Sequence, residues 1–249
     1  MKPAAVVVFA VLLASIPTVS AQIADSTTFG RKNTFSAFFD YSNNSSHIVL
    51  GQAEGRKFTE LGFQYDRRLV LGRHLIWKYT SEFRPLIFES DLTDIETITQ
   101  TAPPPTQTTI LSPIVTPQCR ATSGTFSFVN PITGVLNAGT ASISCSRRWT
   151  YAEGLSPLGT RISLLPHRRW QPTATILTGF LLSAKKIPVD TGGSFNFMFQ
   201  VGAGVEYFRT STQSMRFEYQ IQHFSNAYTA QTNYGVDNGL FKLTYTFGR

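Results

Sequence analysis

The sequence predicts an all-β protein, an antiparallel barrel of eight strands. Three observations support this prediction: apolar and polar residues alternate with a period of two, clusters of turn residues separate the alternating segments, and helical periodicity is nearly absent. The composition agrees with a folded chain, because charged residues make up only 15% and aromatic residues 13% of the 249 residues. A chain of this length is long enough to close a barrel.

The clearest alternating segment begins at Ser194. Its odd positions, from Phe195 to Tyr207, are apolar or aromatic, whereas its even positions, from Asn196 to Glu206, are mostly small or polar. Such a segment places one kind of residue on each face of a strand. The predicted strands cover, in order, residues 34–41, 58–68, 75–85, about 155–165, 173–184, 194–207, 215–222 and 241–247.

The connections between these strands alternate in length. Short turns lie at 70–73, 166–169 and 209–213, and longer connections lie at 42–57, 86–154, 185–193 and 224–238. Short turns at one rim and long loops at the other, with an even number of strands, are typical of bacterial outer-membrane barrels. A soluble sandwich more often lacks this alternation of short and long connections.

Residues 1–21 predict a removable export signal. Lys2 precedes an apolar run over 4–16, and Val19-Ser20-Ala21 places small residues where a signal peptidase cleaves. The run is shorter than the roughly 20 residues that a membrane-spanning helix needs, and no later run reaches that length. The mature barrel is therefore expected over residues 22–249, in an exported compartment.

The distribution of charge favours a transmembrane barrel over a soluble one. A secreted soluble barrel or sandwich would use its apolar face as the core. Here the polar faces of several strands carry charged residues, which suits the interior of a small membrane barrel: Lys78, Glu82, Arg84, Arg216 and Glu218. Aromatic residues near strand ends would form the interfacial girdles: Tyr41, Trp77, Trp170, Tyr207 and Phe247. The expected location is the bacterial outer membrane.

The segment 86–154 is expected to be one very long extracellular loop. Within it, residues 91–152 are rich in Thr, Pro and Ser and far exceed a normal loop in length, so we expect them to be extended and partly disordered. Cys119 and Cys145, the only two cysteines, would close this loop with a disulfide in an oxidising compartment. Two free buried thiols are the alternative.

Composition argues against several other functions. The net charge of +7 could suit nucleic acid, but the basic residues are dispersed, so we expect no nucleic-acid partner and regard anionic lipid as an equally good match. The four His are scattered and no Cys-x-x-Cys occurs, which makes a metal site unexpected. No organic cofactor is implied either.

One stretch near the C-terminus brings a base, a hydroxyl and a carboxylate together. His223 and Ser225, at i and i+2 of an extended strand, project from the same face about 6.5 to 7 Å apart along the backbone. Asp237 opens the next strand, and an antiparallel hairpin would return it beside His223. It could then hold one ring nitrogen and stabilise the imidazolium while Ser225 acts as nucleophile.

The same stretch supplies groups for a developing oxyanion. Asn226, Asn233 or the Gly235 amide would be available for this role. His223 continues the odd series Met215, Phe217, Tyr219, Ile221, which is the predicted lipid-facing side. Ionisable groups on that side are costly unless they serve a function, so a hydrolytic site there would face a lipid.

At these residues the sequence resembles the outer-membrane lipid A 3-O-deacylases (PagL) and their relatives, the acyloxyacyl hydrolases. The resemblance implies an eight-stranded barrel with a His-x-Ser-Asn motif on a late strand and an outward-facing site that removes an ester-linked acyl chain from lipid A. It implies that His223 is the general base, Ser225 the nucleophile and Asp237 the acidic member, where the family pattern has Glu.

The resemblance also assigns Asn226 and Asn233 to the oxyanion site. It is clearest over residues 170–249, including Lys185-Lys186-Ile187-Pro188, and fades through 91–152. Lipid A of lipopolysaccharide is thus the expected substrate and the outer-membrane lipid the expected surroundings. The long insertion is not explained by the family pattern.

Alternatives remain at this stage. The basic residues in or near the outer loops could contact lipid A phosphates or be solvated charges: Arg84, Arg147, Arg148, Lys185 and Lys186. A non-catalytic barrel with a structural or adhesive role would use the 86–154 loop as its working part. A pore is disfavoured because side chains fill an eight-stranded barrel. The sequence does not decide between a monomer and a homodimer.

Overall fold

A computed structural model of the protein describes residues 28–42 and 44–247. The predicted export signal, residues 1–21, lies outside these residues. No helix in the described part of the chain is long and apolar enough to cross a bilayer. The strands are β1 Asn33–Ser42, β2 Lys57–Leu71, β3 Leu75–Ala102, β4 Gln107–Ile110, β5 Ile114–Thr116, β6 Thr122–Val129, β7 Leu136–Leu164, β8 Trp170–Ile187, β9 Gly193–Phe208, β10 Ser214–Ser225 and β11 Val236–Thr246.

Eight of these strands close into an antiparallel ring. The order around the ring is β1-β2-β3-β7-β8-β9-β10-β11, and β11 pairs back with β1 through contacts such as Phe38↔Thr244. Each of the eight predicted strands corresponds to one strand of the ring. The predicted eight-stranded antiparallel barrel is therefore confirmed.

The barrel is apolar outside and polar inside, the reverse of a water-soluble protein. On β9, Phe197 and Phe199 are exposed, whereas Asn196, Gln200 and Glu206 are buried. This alternation is the signature of a transmembrane barrel, whose outer band faces lipid. Besides Asp237, which lies on the outer face, the fully or almost fully buried charged residues are Asp40, Arg56, Glu60, Asp66, Lys78, Glu82, Arg84, Glu89, Asp91, Arg161, Glu206, Arg216, Glu218 and Lys242.

Arg84 lies at the centre of a hydrogen-bonded network in the barrel interior. Arg84 donates from Nε to Glu60 at 2.6 Å, from Nη1 to Ser156 at 2.8 Å, and from Nη2 to both Glu82 and Gln200 at 2.5 Å. A buried charge is tolerated only when it is paired and hydrogen-bonded, and these contacts meet that condition. The network fills the barrel with side chains, as expected for eight strands.

Residues 86–154 are not the partly disordered loop that the sequence predicted. β2 stops pairing with β3 at Ser90 and β8 stops pairing with β7 at Ala152, but β3 and β7 stay paired with each other as far as Ala102↔Ala138. β4 and β5 add to β3, and β6 adds to β7. The long connection is therefore a twisted sheet that continues the barrel wall, which we call the β-extension (residues 86–154).

A disulfide joins Cys119 to Cys145 within the β-extension. Cys145 lies on β7, and Cys119 lies in the segment between β5 and β6, so the bond ties an irregular part of the connection to a long strand. The pairing fits a chain that folds in an oxidising compartment. The described residues contain no free cysteine.

The candidate site lies at the end of the barrel with the long connections. The turns β2–β3, β7–β8 and β9–β10 meet at the opposite end. At this end the protein also contains a buried apolar cluster: Ala53, Phe58, Ile87, Ala152, Leu181, Ile187, Met198, Phe224, Val236 and Leu240. Buried apolar side chains therefore pack together at the end of the barrel that carries the site.

Candidate active site

The last residues of β10 present His223 and Ser225 on the outer face. Phe224, between them, points inward, is fully buried and packs against Phe58 with ring centroids 5.7 Å apart. Because neighbouring side chains of a strand point to opposite faces, burying Phe224 turns its two neighbours outward. His223 and Ser225 are both partly exposed.

His223 and Asp237 lie opposite each other in the β10–β11 pair. The imidazole Nδ1 is 2.6 Å from Asp237 Oδ1. The expectation that the hairpin returns Asp237 beside His223 agrees with this geometry, and the shorter Asp side chain reaches the ring without difficulty. With the carboxylate ionised, Nδ1 carries the proton, and Nε2 is left as the basic nitrogen.

Asp237 is held from its other side by four consecutive backbone N–H groups. Its Oδ2 atom accepts hydrogen bonds from the amides of Ile48 (3.1 Å), Val49 (2.5 Å), Leu50 (3.0 Å) and Gly51 (2.9 Å). Successive amides that converge on one oxygen form an anion-binding nest. These bonds stabilise the ionised form of a carboxylate that is completely buried.

The nest belongs to the β1–β2 connection, which folds over the outer end of β11. We call residues 45–53 of this connection the arch. Its two feet are isolated bridges, Ser45↔Asn238 and Ala53↔Val236. The arch was not predictable from the sequence, because residues more than 180 positions from Asp237 make this contact through backbone atoms alone.

Gly51 fits where a side chain would not. A Cβ at this position would lie 2.5 Å from the backbone N of Asp237 and 2.8 Å from Asp237 Cγ. Real Cβ atoms do not approach backbone so closely, so glycine is required for the arch to close on the carboxylate.

Gly235 borders the imidazole. It has a positive φ of 57°, and a Cβ there would lie 3.0 Å from His223 Cε1 and 3.7 Å from Nε2. Its carbonyl accepts from the amides of Gln52 and Ala53. The structure therefore places Gly235 beside the basic nitrogen of His223. Its hydrogen bonds also join the β10–β11 loop to the arch.

Asn226 organises the β10–β11 loop. It is buried, its Nδ2 donates to Thr232 O at 2.7 Å, and its Oδ1 accepts from Tyr228 N at 3.0 Å. Its backbone N–H donates to Asn233 Oδ1 at 3.1 Å. Those bonds occupy most of Asn226, whereas Asn233 keeps its Nδ2 group without a protein partner among the described residues.

Ser225 Oγ makes no hydrogen bond to His223 within the described part of the chain. Both residues lie on the same face of β10, so a change in side-chain rotamer would bring Ser225 Oγ within hydrogen-bonding distance of His223. Catalytic hydrogen bonds are often long in a free enzyme and tighten when the substrate binds.

The basic residues suggested as phosphate contacts divide into three groups. Arg84 is fully buried inside the barrel, as its place on the polar face of a strand predicted, so the suggestion that it contacts phosphate or solvent near the outer loops was wrong. Arg147 donates to Gly55 O and Ser90 Oγ, and Arg148 is paired with Asp91 and Asp190. Lys185 and Lys186 are exposed near the site end of β8 and keep free headgroups among the residues described.

One cluster in the described residues has metal-ligand spacing. It combines Asp94 with Cys119 and Cys145. The two sulfur atoms are bonded to each other in the disulfide, so they offer no thiolate to an ion.

Comparison with known families matches the model for Lipid A 3-O-deacylase (PagL) to residues 132–246. The family resemblance is confirmed. The matched region is slightly under half of the chain. It begins within the β-extension and contains β8–β11 and all six candidate residues of the active site. The match supports a lipid A deacylase-like function in the outer membrane.

The solved structures that are similar to this chain include the following two. Neisserial surface protein A (NspA) is 10% identical, with 88% of this chain and 98% of that chain covered and a TM-score of 0.44. LpxR from Salmonella typhimurium is 8% identical, with 87% and 100% covered and a TM-score of 0.25. No curated protein sequence matches significantly.

Proposed function

We propose that this protein is an outer-membrane serine esterase that removes an ester-linked acyl chain from lipid A. The observation that carries the proposal is the 2.6 Å contact between His223 and Asp237, on the outer face of the barrel and two residues from Ser225. A charge-relay pair of this kind has little structural purpose on a lipid-facing surface.

The first chemical step is acyl transfer to Ser225. His223 Nε2 takes the hydroxyl proton as Ser225 Oγ attacks the ester carbonyl, and Asp237 stabilises the imidazolium that forms. The tetrahedral intermediate then collapses, and the bond between the acyl carbon and the sugar oxygen breaks. The imidazolium gives its proton to that departing oxygen. An acyl-enzyme remains on Ser225.

The second step releases the fatty acid. Water gives a proton to His223 Nε2 and attacks the acyl-enzyme, and Ser225 leaves with the proton that the imidazolium returns. Both half-reactions use the same base, so no metal or organic cofactor has a role in the scheme. Deacylated lipid A and a free fatty acid are the products.

The oxyanion donors we favour are Asn233 Nδ2 and the Gly235 amide. The bond from the Asn226 amide to Asn233 Oδ1 fixes which end of the Asn233 side chain is the donor. Gly235 already lies beside the imidazole edge. Asn226 shapes the loop instead, since its side chain is engaged at both ends.

The outward orientation of the site matches a substrate that stays in the membrane. Phe199 and Ile221 flank His223 on the apolar outer surface, where the acyl chain of a membrane lipid would run. Lys185 and Lys186 lie at the same end of the barrel and could donate charge-assisted hydrogen bonds to lipid A phosphates.

Covalent labelling tests the nucleophile directly. A fluorophosphonate probe reacts with an activated serine, and it should label the wild-type barrel and fail to label Ser225→Ala and Asp237→Asn. Ser194→Ala, at the start of β9, is the matched control and should label normally. Equal labelling of wild type and Ser225→Ala would contradict the proposal and favour the non-catalytic barrel.

A further inference from the structure

The arch turns its backbone toward Asp237 and its side chains away from the protein. Ile48, Val49 and Leu50 donate their amides to the carboxylate, yet their side chains are 40%, 60% and 72% exposed. Three consecutive exposed apolar residues are unfavourable in water. Holding Asp237 does not explain them, because backbone amides are the same in any residue except proline.

The position of the arch identifies what covers these side chains. Asp237 shares the outer face with His223, by their register, and the arch lies over that face. Below it the same face of β11 continues into exposed Phe241, Leu243 and Tyr245, which belong to the lipid-facing band. The apolar tip is therefore continuous with a surface that already meets acyl chains.

The flanks of the tip are polar. His47 and Glu54 lie at either side of the exposed segment, with His47 Nε2 3.0 Å from Glu54 Oε1 and both side chains about half exposed. An apolar tip between polar flanks is the pattern of a segment that enters the bilayer surface and keeps its charges at the headgroup level.

We infer that Ile48, Val49 and Leu50 insert into the acyl layer of the outer leaflet and that this contact holds the arch, and with it Asp237, in position. The second half of the inference rests on the proposed function. The bilayer is then part of the active site: lipid contact on one side of the peptide backbone positions the catalytic carboxylate on the other.

A fluorescent label tests the insertion without any need for activity. Cys119 and Cys145 are bonded to each other, so Val49→Cys provides the single free thiol for an environment-sensitive dye in full-length protein reconstituted in phospholipid vesicles. Phe217→Cys, in the lipid-facing band, and Thr133→Cys, in the β6–β7 turn, are the membrane and water references.

The expected result is a blue-shifted emission from position 49 that lipid-attached quenchers reduce to the same extent as at position 217. Emission and quenching like those at position 133 would overturn the insertion. A blue shift that lipid quenchers leave unchanged would mean that protein covers the tip, which also contradicts the inference.

A comparison of two substrates tests the coupling. Changing Ile48, Val49 and Leu50 together to Ser keeps the amides of the nest but removes the lipid contact, so the rate on lipid A in vesicles and the rate of the same reconstituted protein on a short water-soluble ester should both fall about tenfold. Gly51→Ala should also lower both rates, because it displaces the arch. Ile132→Ser, at an exposed position far from the site, should change neither rate.

The outcomes separate the two proposals. Unchanged rates in the triple Ser variant, or a lower rate on lipid A alone, would overturn the coupling. A wild-type protein that hydrolyses neither substrate would contradict the proposed function, and with it the coupling, while the fluorescence result would still decide whether the arch enters the bilayer.

Discussion

Asp237 faces outward beside His223, yet its side chain is completely buried. The register of β10 and β11 puts both side chains on the lipid-facing surface, and the 2.6 Å contact joins them. The arch supplies the missing cover and four amides for the second carboxylate oxygen. A charge on the outside of a membrane barrel is thus stabilised by a loop from the other end of the chain.

Replacing Asp237 by Asn should remove most of the activity. The amide is neutral, so it cannot stabilise the imidazolium, and its NH₂ group would face either His223 Nδ1 or the donors of the nest. We expect kcat to fall about a thousandfold or more, as for the loss of the acid in other serine triads. The rate of lipid A deacylation by purified protein in vesicles measures this.

Asp237→Glu is the informative companion. It keeps the charge but adds a methylene group to a side chain that already fills the space between His223 and the arch. We expect activity between those of wild type and Asp237→Asn, about tenfold below wild type. Full activity in Asp237→Asn would contradict a catalytic role for the carboxylate.

Gly51→Ala should impair catalysis without unfolding the barrel. The added Cβ would lie 2.5 Å from Asp237 N, so the arch must shift and weaken the nest. We expect kcat to fall about tenfold to a hundredfold with little change in KM. Gly124→Ala, where a Cβ meets no atom within 4 Å, is the matched control and should behave as wild type. Equal rates in the two variants would refute the role of the arch.

Removing the disulfide should affect the β-extension and spare the site. Cys119 and Cys145 are 26 residues apart in sequence, and closing a loop of this size stabilises a folded segment by about 3 kcal/mol. The double Ser variant should be cut faster by protease within 86–154 while the barrel stays resistant and deacylation continues. Loss of activity at equal expression would show instead that the β-extension contributes to the site.

Replacing Arg84 by Met should destabilise the barrel from inside. Glu60 and Glu82 would lose their shared cation in a closed interior, at a cost of about 3 to 5 kcal/mol. Urea titration of reconstituted protein, followed by the shift between folded and unfolded bands in electrophoresis, measures the midpoint. Lys185→Met, at an exposed position, is the control and should leave it unchanged. Identical midpoints would contradict the role of the network.

The barrel was predictable because its signal is local. Alternation along β9 separates exposed Phe197 from buried Asn196 in neighbouring positions, and the connection lengths give the direction of the strands. The β-extension was not predictable in the same way. Strands that are partly or fully exposed on both faces have no apolar period, so the Thr-rich and Ser-rich residues of β3, β4 and β7 beyond the barrel were predicted as a loop.

The site was predictable only in part, for a related reason. His223, Ser225 and Asp237 stand close in sequence on one hairpin, so strand geometry could place them. The nest uses backbone amides of residues 48–51, whose side chains take no part in the contact. Because almost every residue type carries such an amide, the sequence of this segment does not predict the contact. Arg84 was predicted both as an interior charge and as a phosphate contact near the outer loops, because it lies near the end of the predicted strand 75–85; only the first prediction is correct.

The central claim is that Ser225, activated by His223 and Asp237, deacylates lipid A. Mass spectrometry of lipid A from cells expressing the wild-type protein or Ser225→Ala at matched outer-membrane levels tests it most directly. The account predicts loss of one ester-linked acyl chain with the wild type and intact lipid A with Ser225→Ala. The same loss with both proteins, or with neither, would contradict it.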